Sequence, residues 1–209
     1  MKIAVILFAY DRIKYLRRAL KSHRELPGLD YYCFIDCSPK QTEVYYVVNL
    51  FPHWKITPRV VHLGLDYNIT QGITEVFDMG YDAVIVLEDD LELSEDAFFY
   101  LVSNLIIFKD DPHCGSVSLH KEKMYCPDFK CWGWGTWKDR WDRHFYEDGK
   151  GTQATQFAQF HWDNQLYCRC SPVKRVKHFG RTGVHYKWYS GIGFRPLYRW
   201  LKTKFRRGF

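Results

Sequence analysis

The stretch VIVLEDD at positions 84–90 indicates both the fold class and the place of a functional site. Its four apolar residues predict a strand that is buried on both faces of a sheet, as in parallel sheets. Three acidic residues follow directly, and buried carboxylates without partners are costly. A divalent cation such as Mg²⁺ or Mn²⁺ relieves their repulsion, because it prefers carboxylate and phosphate oxygens. The alternative is a strand that ends in a solvated acidic turn.

Strand and helix patterns alternate on both sides of this stretch. Apolar runs predict strands at residues 3–8, 31–35, 59–63 and 83–87. Helical spacing of apolar residues, or capping residues, predicts helices at 12–23, from Ser38-Pro39 onward, at 68–79, and after Ser94. Four such units predict an α/β fold with a mostly parallel central sheet flanked by helices. Ligands of these sheets bind beyond the carboxyl ends of the strands, where 9–12, 36–38, 64–68 and 88–90 fall.

Length and composition favour one globular domain over residues 1–209. Aromatic residues are abundant, with 8 Trp, 15 Tyr and 15 Phe, and they suit flat ligands such as bases and sugar rings. The net charge of +6 favours an anionic partner. After residue 114 the pattern changes to short strands, predicted at 115–119 and 173–177, separated by loops rich in Trp, Gly, Asp and His.

The chain shows no export or membrane-spanning pattern. The N-terminal apolar run is short and ends at Asp11 and Arg12 without a small-residue cleavage site. No stretch approaches the roughly 20 apolar residues that cross a bilayer. Seven scattered cysteines without an export signal predict reduced thiols and a cytoplasmic protein.

Several motifs, in order along the chain, resemble those of a known enzyme family. EDDLELSEDAFFYL at 88–101 looks like the acidic motif and following helix of the GT-A-fold glycosyltransferases, whose DxD motif is EDD in the N-acetylglucosaminyltransferase I group. Further segments similar to that group are FAYDR at 8–12, FID at 34–36, GWGTW at 133–137, HWDNQL at 161–166 and FGRTGVH at 179–185. The resemblance implies a Rossmann-like GT-A domain with a nucleotide-sugar-binding half, 1–114, and an acceptor-side half, 115–209.

The resemblance, together with the chemistry of the side chains, implies a nucleotide and metal site. Asp36 is expected to accept the N3–H of uracil, Arg12 to pair with the nucleotide, and Asp90 to ligate the metal. The other residues expected at the nucleotide are Tyr10, Asn68, Gln71, Glu88 and Asp89. For Asn68 and Gln71 the alternative is a role in capping the third helix.

The second half supplies the remaining expected residues. Asp163 aligns with the catalytic base of the family, although Asn164 stands where the family often has a second acid, which leaves the stereochemistry open. His185 is expected in the metal shell, with a structural histidine as the alternative. Trp132, Trp134 and Trp137 are expected to line the sugar and acceptor side of the cleft, with a core aromatic cluster as the alternative.

These interpretations together predict a glycosyltransferase that uses Mn²⁺ or Mg²⁺, a UDP-sugar donor and a glycan or glycoconjugate acceptor. One alternative is a sugar-nucleotide-binding module without catalysis. A nucleic-acid-binding protein is a weaker one, because basic residues are dispersed and no RNA- or DNA-binding motif is present, so no nucleic-acid partner is expected. The basic, aromatic C-terminal residues 200–209 are expected to form an amphipathic end helix, a peripheral membrane contact or the edge of a longer protein.

Overall fold

The computed structural model describes residues 1–144 and 150–180, and the elements below belong to one compact unit, Met1–Phe179. The strands are β1 (Ile3–Ala9), β2 (Asp30–Ile35), β3 (Trp54–Pro58), β4 (Ala83–Glu88), β5 (Leu91–Leu93), β6 (Cys114–Lys121), β7 (Tyr125–Cys126), β8 (Trp134–Trp137), β9 (Tyr167–Ser171) and β10 (Val176–His178). The helices are α1 (Ile13–Ser22), α2 (Gln41–Asn49), α3 (Leu65–Asp78), α4 (Ala97–Ile107), α5 (Lys138–Trp141) and α6 (Gln153–Asp163).

Eight of these strands form one sheet in the order β3-β2-β1-β4-β8-β6-β9-β7. The pairs β2–β3, β1–β2, β1–β4 and β6–β9 are parallel, whereas β8 is antiparallel to both of its neighbours and β7 is antiparallel to β9. The predicted α/β fold with a mostly parallel central sheet and flanking helices is confirmed.

Both faces of the sheet are covered, which explains the unbroken apolar run of β1. Ile3, Val5 and Leu7 pack with α1, α2 and α4 on one face. Ala4, Ile6 and Phe8 lie on the other face, in the cluster to which α3 and α6 contribute. Side chains alternate between the faces of a strand, so a strand between two helical layers must be apolar at every position.

The direction of the strands defines two ends of the sheet. We call the end at which β1, β2, β3 and β4 finish the carboxyl end, and the end at which they begin the amino end. Because β6 and β9 run in the same direction as β4, they also finish at the carboxyl end. The separate pair β5–β10 is antiparallel and joins the segment after β4 to the segment after β9.

The third predicted strand was placed wrongly. The strand is Trp54–Pro58 rather than 59–63, and it aligns Trp54 with Tyr31 of β2. Trp54 is buried, whereas Val60 is 93% exposed and Val61 is 58% exposed. Burial of the large Trp54 ring stabilises the strand at 54–58 and decides its position against the apolar pattern of 59–63. Residues 59–63 instead form a loop beside the carboxyl end of β2.

Three predicted helix starts are also corrected. Helix α2 starts at Gln41 with Lys40 as the N-cap, and the Ser38 hydroxyl instead accepts from the Lys40 amide and donates to the Tyr10 carbonyl. Helix α4 has Asp96 as its N-cap, with the Ser94 hydroxyl donating to the Asp96 carboxylate at 2.6 Å. Helix α3 begins at Leu65, three residues earlier than predicted.

In the second half, the predicted strand 115–119 is extended to Cys114–Lys121, and that predicted at 173–177 is shifted to Val176–His178. All seven cysteines are free thiols. Among residues 1–144 and 150–180, no helix combines the length and apolar character needed to span a membrane.

Candidate active site

The acidic triplet lies at the carboxyl end of the sheet. Glu88 is the last residue of β4, and Asp89 and Asp90 form the turn that leads into β5. Asp89 and Asp90 are each only 2% exposed. The sequence therefore buries two carboxylates side by side, which requires cationic partners nearby.

Arg12 is the first of these partners. It follows β1, whose residue Phe8 aligns with Glu88, so its side chain reaches the triplet directly. One guanidinium nitrogen donates to Asp90 Oδ2 at 2.7 Å, and the other donates to Asp89 Oδ1. The backbone N–H of Tyr10 makes a longer contact of 3.5 Å with Asp89 Oδ2. The predicted neighbours Tyr10, Arg12, Asp89 and Asp90 are thus brought together.

His178 is the second partner, and the sequence analysis missed it. Its Nε2 lies 3.2 Å from Asp90 Oδ2, because β10 pairs with β5 and aligns His178 with Leu91. The backbone N–H of Phe179 also donates to the Asp90 carbonyl at 3.1 Å. The available sequence signal was the short alternation Val176-Lys177-His178, which resembles an edge strand that exposes its polar residues.

Trp132 covers the same histidine. The indole of Trp132 stacks on the His178 imidazole, with centroids 4.9 Å apart and planes 3° apart. Trp132 is 37% exposed, so part of its ring remains available at the mouth of the site. Its expected place beside a bound sugar stays a prediction.

The buried acidic side chains and their cationic partners shift one another's pKa values. Burial, followed by the charge of Asp90, raises the pKa of Glu88 to about 8. Burial raises the pKa of Asp89 to about 6 although Arg12 opposes the shift. Burial would also raise the pKa of Asp90, but the hydrogen bond from His178 and the charge of Arg12 lower it below its ordinary value. In return, the hydrogen bond with Asp90 raises the pKa of His178.

The donor atoms fit a divalent cation that arrives with a phosphate ligand. Asp90 Oδ1 is buried and has no hydrogen-bond partner among residues 1–144 and 150–180. In that part of the chain, no group of three or more His, Cys, Asp or Glu side chains is arranged as a complete metal site. Mg²⁺ is usually held by one or two carboxylates together with substrate phosphates, rather than by an all-protein cage. Asp90 supplies one such carboxylate, and His178 lies beside it.

Asp36 lies after β2 at the same end of the sheet, and its carboxylate is fully engaged. Oδ1 accepts from the backbone N–H groups of Cys37 and Leu63, and Oδ2 accepts from that of Gly64. His62 Nδ1 lies 3.0 Å from Oδ2. A carboxylate offers about four lone-pair sites, so a base N–H can bind Asp36 only if His62 moves away.

Asn68 and Gln71 differ in their surroundings. Asn68 lies in the first turn of α3, is buried, and accepts from Arg59 Nε at 2.9 Å. Gln71 is exposed in the next turn of the same helix. The structure thus gives Asn68 a role in holding the 59–64 loop, and it leaves the side chain of Gln71 in solvent.

Trp134 and Trp137 are core residues, contrary to the expectation that they line the cleft. Each is 3% exposed. Trp134 packs edge-on against Phe129 with centroids 4.8 Å apart, and Trp137 donates its indole N–H to the Leu105 carbonyl. Strand β8 lies inside the sheet, so its alternating side chains point into the two cores instead of toward a ligand.

Asp163 is not brought to the acidic triplet. Helix α6 begins near the carboxyl end, where the Gln153 N–H donates to Asp66, and it runs the other way to end at Asp163. The next strand starts at Tyr167, which aligns with Cys114 at the amino end of the sheet. There Asp163 is exposed and accepts from Gln159 Nε2 at 2.7 Å. The expected metal ligand His185 lies outside the described residues.

Comparisons with known proteins identify the fold. No family model and no curated protein match the sequence. Among solved structures, the mannosyltransferase PcManGT from Pyrobaculum calidifontis, in complex with GDP-Man and Mn²⁺, is similar with a TM-score of 0.67 at 13% identity, over 90% of this chain and 59% of that chain. S. aureus TarS 1-349 with UDP-GlcNAc has a TM-score of 0.66 at 16% identity, over 90% and 61%. GalNAc-T7 with UDP, GalNAc and Mn²⁺ has a TM-score of 0.66 at 12% identity, over 85% and 44%.

The chain therefore spans about three fifths of the length of PcManGT and of the TarS fragment. At these identities the likeness establishes the architecture and not the reaction. The chain has the GT-A-type fold of nucleotide-sugar glycosyltransferases.

Proposed function

We propose that this chain is a metal-dependent glycosyltransferase that moves a sugar from a UDP-sugar onto a hydroxyl group of a glycan or glycoconjugate. One observation carries the proposal: Asp89, Asp90, Arg12 and His178 converge at the carboxyl end of a sheet whose architecture is that of nucleotide-sugar transferases. A buried cluster of both charge signs, placed where α/β sheets bind ligands, suits a diphosphate and a cation.

The cation, when bound, supplies positive charge that stabilises the departing diphosphate. Asp90 would hold it through the oxygen that has no partner among residues 1–144 and 150–180, and His178 would stand at its side. Arg12 would then exchange its contacts with Asp89 and Asp90 for diphosphate oxygens, because its planar guanidinium matches carboxylate and phosphate equally well. Trp132 would offer an exposed aromatic face to the sugar.

The choice of nucleotide is assigned to Asp36 with His62. The Asp36 carboxylate can accept the imino N–H of uracil once His62 withdraws from Oδ2, and His62 is exposed enough to move, with 57% of its side chain in solvent. Cytosine has no imino hydrogen at that position. The proposal therefore favours a uridine nucleotide over a cytidine nucleotide.

The proposal does not include a catalytic base. Asp163 lies at the amino end of the sheet, and nothing in its contacts supports a role at the acidic triplet. Inversion and retention therefore stay open. The alternative function is a sugar-nucleotide-binding module without turnover, which the same cluster also permits.

Two measurements separate these functions. The first is the melting temperature of the protein with UDP, GDP or CMP, each with and without Mn²⁺, because a ligand that binds the folded state stabilises it. We expect stabilisation by UDP that requires Mn²⁺, and none by CMP. The second is the release of UDP from UDP-sugars in the presence of a glycan acceptor. Binding without release would favour the module, and the absence of any Mn²⁺-dependent nucleotide binding would remove the proposal.

A further inference from the structure

A second cavity lies far from the acidic triplet, at the amino end of the sheet. It has a volume of about 370 Å³ and lies between the end of α6 and the strands β7 and β9. Its lining includes Tyr125, Trp162 and Tyr167, and it includes no Asp, Glu, Lys or Arg. This volume lies in the range of pockets that bind small ligands, and uncharged walls disfavour an anion.

Two of the aromatic rings are unusually exposed. Tyr125 is 57% exposed and Trp162 is 45% exposed, on opposite elements of the cavity. Neither the Tyr125 hydroxyl nor the Trp162 indole N–H makes a hydrogen bond to any residue within 1–144 and 150–180. Exposed rings with free polar tips suit a ligand that has one apolar face and a polar rim.

His161 adds an unpartnered polar group to the lining. It is fully buried, and neither ring nitrogen has a hydrogen-bond partner in the described part of the chain. Burial lowers its pKa to about 3, so the ring is neutral and offers one donor and one acceptor. Gly115 permits this placement, because a Cβ there would lie 2.7 Å from His161 Cε1. The His161 side chain has no exposed surface, so it supports the floor of the cavity from behind and does not itself reach a ligand.

Gln165 occupies a backbone position that ordinarily belongs to glycine. After α6, the Leu166 N–H donates to the His161 carbonyl and the Gln165 N–H donates to the Trp162 carbonyl, which is the helix-ending pattern with a left-handed residue. Gln165 has φ of 54°, and it is the one residue other than glycine with positive φ within 1–144 and 150–180. Its side chain is exposed and makes no hydrogen bond to those residues. The Gln165 amide is therefore available to hydrogen-bond a ligand at the edge of the cavity.

We propose that this cavity is a binding site for an uncharged pyranose ring of a glycan, separate from the donor site. The C–H face of the sugar would stack on Trp162, and its hydroxyl groups would bind the Gln165 amide and the Tyr125 hydroxyl. A sugar hydroxyl both donates and accepts, as do the amide and the phenol. The inference stands apart from the proposed transferase activity, because it uses no residue of the acidic triplet.

The test uses the full chain and methyl glycosides of glucose, galactose, mannose and N-acetylglucosamine as probes. Binding is followed through the indole N–H signals of the tryptophans in NMR titrations. We expect saturable binding by at least one glycoside, with a shift of the Trp162 signal. Trp162→Ala should weaken binding by about tenfold, the effect of losing one stacking contact.

Gln165→Gly separates a ligand role from a structural one. Glycine relieves the left-handed strain, so the melting temperature should stay the same or rise, while sugar binding should weaken severalfold. Tyr46→Ala, which removes a ring that is 66% exposed on α2, is the matched control and should leave binding unchanged. Binding that survives both Trp162→Ala and Gln165→Gly would overturn the proposal, as would the absence of saturable binding by any probe. Binding that is lost in Asp90→Ala would locate the sugar in the donor site and would overturn it too.

Discussion

The two ends of the sheet carry different side-chain chemistry on the same scaffold. The carboxyl end gathers opposite charges, with Asp89 and Asp90 buried against Arg12 and His178. The amino end has an uncharged aromatic cavity that includes Trp162. Charge at strand ends suits phosphates and cations, whereas exposed rings suit sugars. The proposed donor site and the proposed sugar site share no residue, so substitutions can change one without touching the other.

Removal of the Asp90 carboxylate should produce the largest effect. Asp90→Ala deletes the proposed metal ligand, so we expect loss of the Mn²⁺-dependent UDP stabilisation and a fall in turnover on the order of 10²–10³-fold, equivalent to several kcal/mol of charge stabilisation. Turnover is measured as released UDP. Glu92→Gln is the control, because Glu92 lies two residues later and pairs with Arg18 on the surface. Unchanged turnover in Asp90→Ala would contradict the proposed metal site, since the buried acidic triplet would then be only a structural ion-pair cluster.

Removal of the His178 imidazole should produce the second-largest effect. His178→Ala removes the imidazole beside Asp90, and we expect Mn²⁺ affinity in the presence of UDP to fall by about tenfold to a hundredfold, as for residues that support a metal site. Affinity is measured by titration of Mn²⁺ against the UDP-bound protein. Lys177→Ala is the control, because the preceding side chain of β10 is exposed. Equal affinity in both variants would leave His178 as a purely structural contact of β10.

The third prediction concerns the pH dependence of the free energy of unfolding. Glu88 has a folded pKa of about 8 and an ordinary value of 4.5, so its contribution favours the folded state below about 4.5 and is lost as the pH rises through 8. Asp89, with a pKa of about 6, acts in the same direction. Glu88→Gln should remove part of this decline, on the order of 1–3 kcal/mol at pH 8. Urea unfolding of the metal-free protein from pH 5 to pH 8.5 checks it, in steps of about half a unit. A difference between wild type and Glu88→Gln that stays constant over this pH range would show that burial does not raise the pKa of Glu88.

Asp163 should have the smallest effect on chemistry. Asp163 lies at the amino end of the sheet. Helix α6, which has 11 residues and is about 16 Å long, separates it from the carboxyl end. Asp163→Asn should therefore change turnover by less than about twofold, whereas the loss of a general base typically costs about 10²–10⁴-fold. Transfer to acceptor and UDP-sugar binding are measured separately. A large loss of transfer with normal UDP-sugar binding would restore Asp163 as the catalytic base that the family resemblance implied. It would also contradict the view that the chemistry is confined to the carboxyl end.

Local patterns were sufficient for strands β1, β2 and β4 and for the position of the acidic triplet at the carboxyl end of the sheet. The apolar runs of β1 and β4 are buried on both faces, and such runs predict strands without knowledge of their partners. The 59–63 loop was mistaken for β3 because its apolar residues repeat like a strand but face solvent. Burial of Trp54 against Tyr31, a long-range contact, decided the real strand.

His178 could not be assigned from sequence for the same reason. Its distance from Asp90 depends on the pairing of β10 with β5, and no local pattern specifies which strand a three-residue segment will join. The tryptophans of β8 were misassigned because glycines beside aromatic rings are typical of both ligand clefts and close-packed strands. Gly135 belongs to the second case, since a Cβ there would lie 2.7 Å from the Val84 carbonyl oxygen.

The pairing of β10 with β5 also sets the order in which the site is completed during synthesis. Asp90 and His178 are separated by 88 positions (178 − 90), and a ribosome adds about 5–20 residues per second. For roughly 4 to 18 s, Arg12 and the acidic triplet have been synthesised and His178 has not. A polypeptide that terminates before β10 would therefore keep the four parallel strands β1 to β4 and still lack the histidine beside the proposed metal ligand.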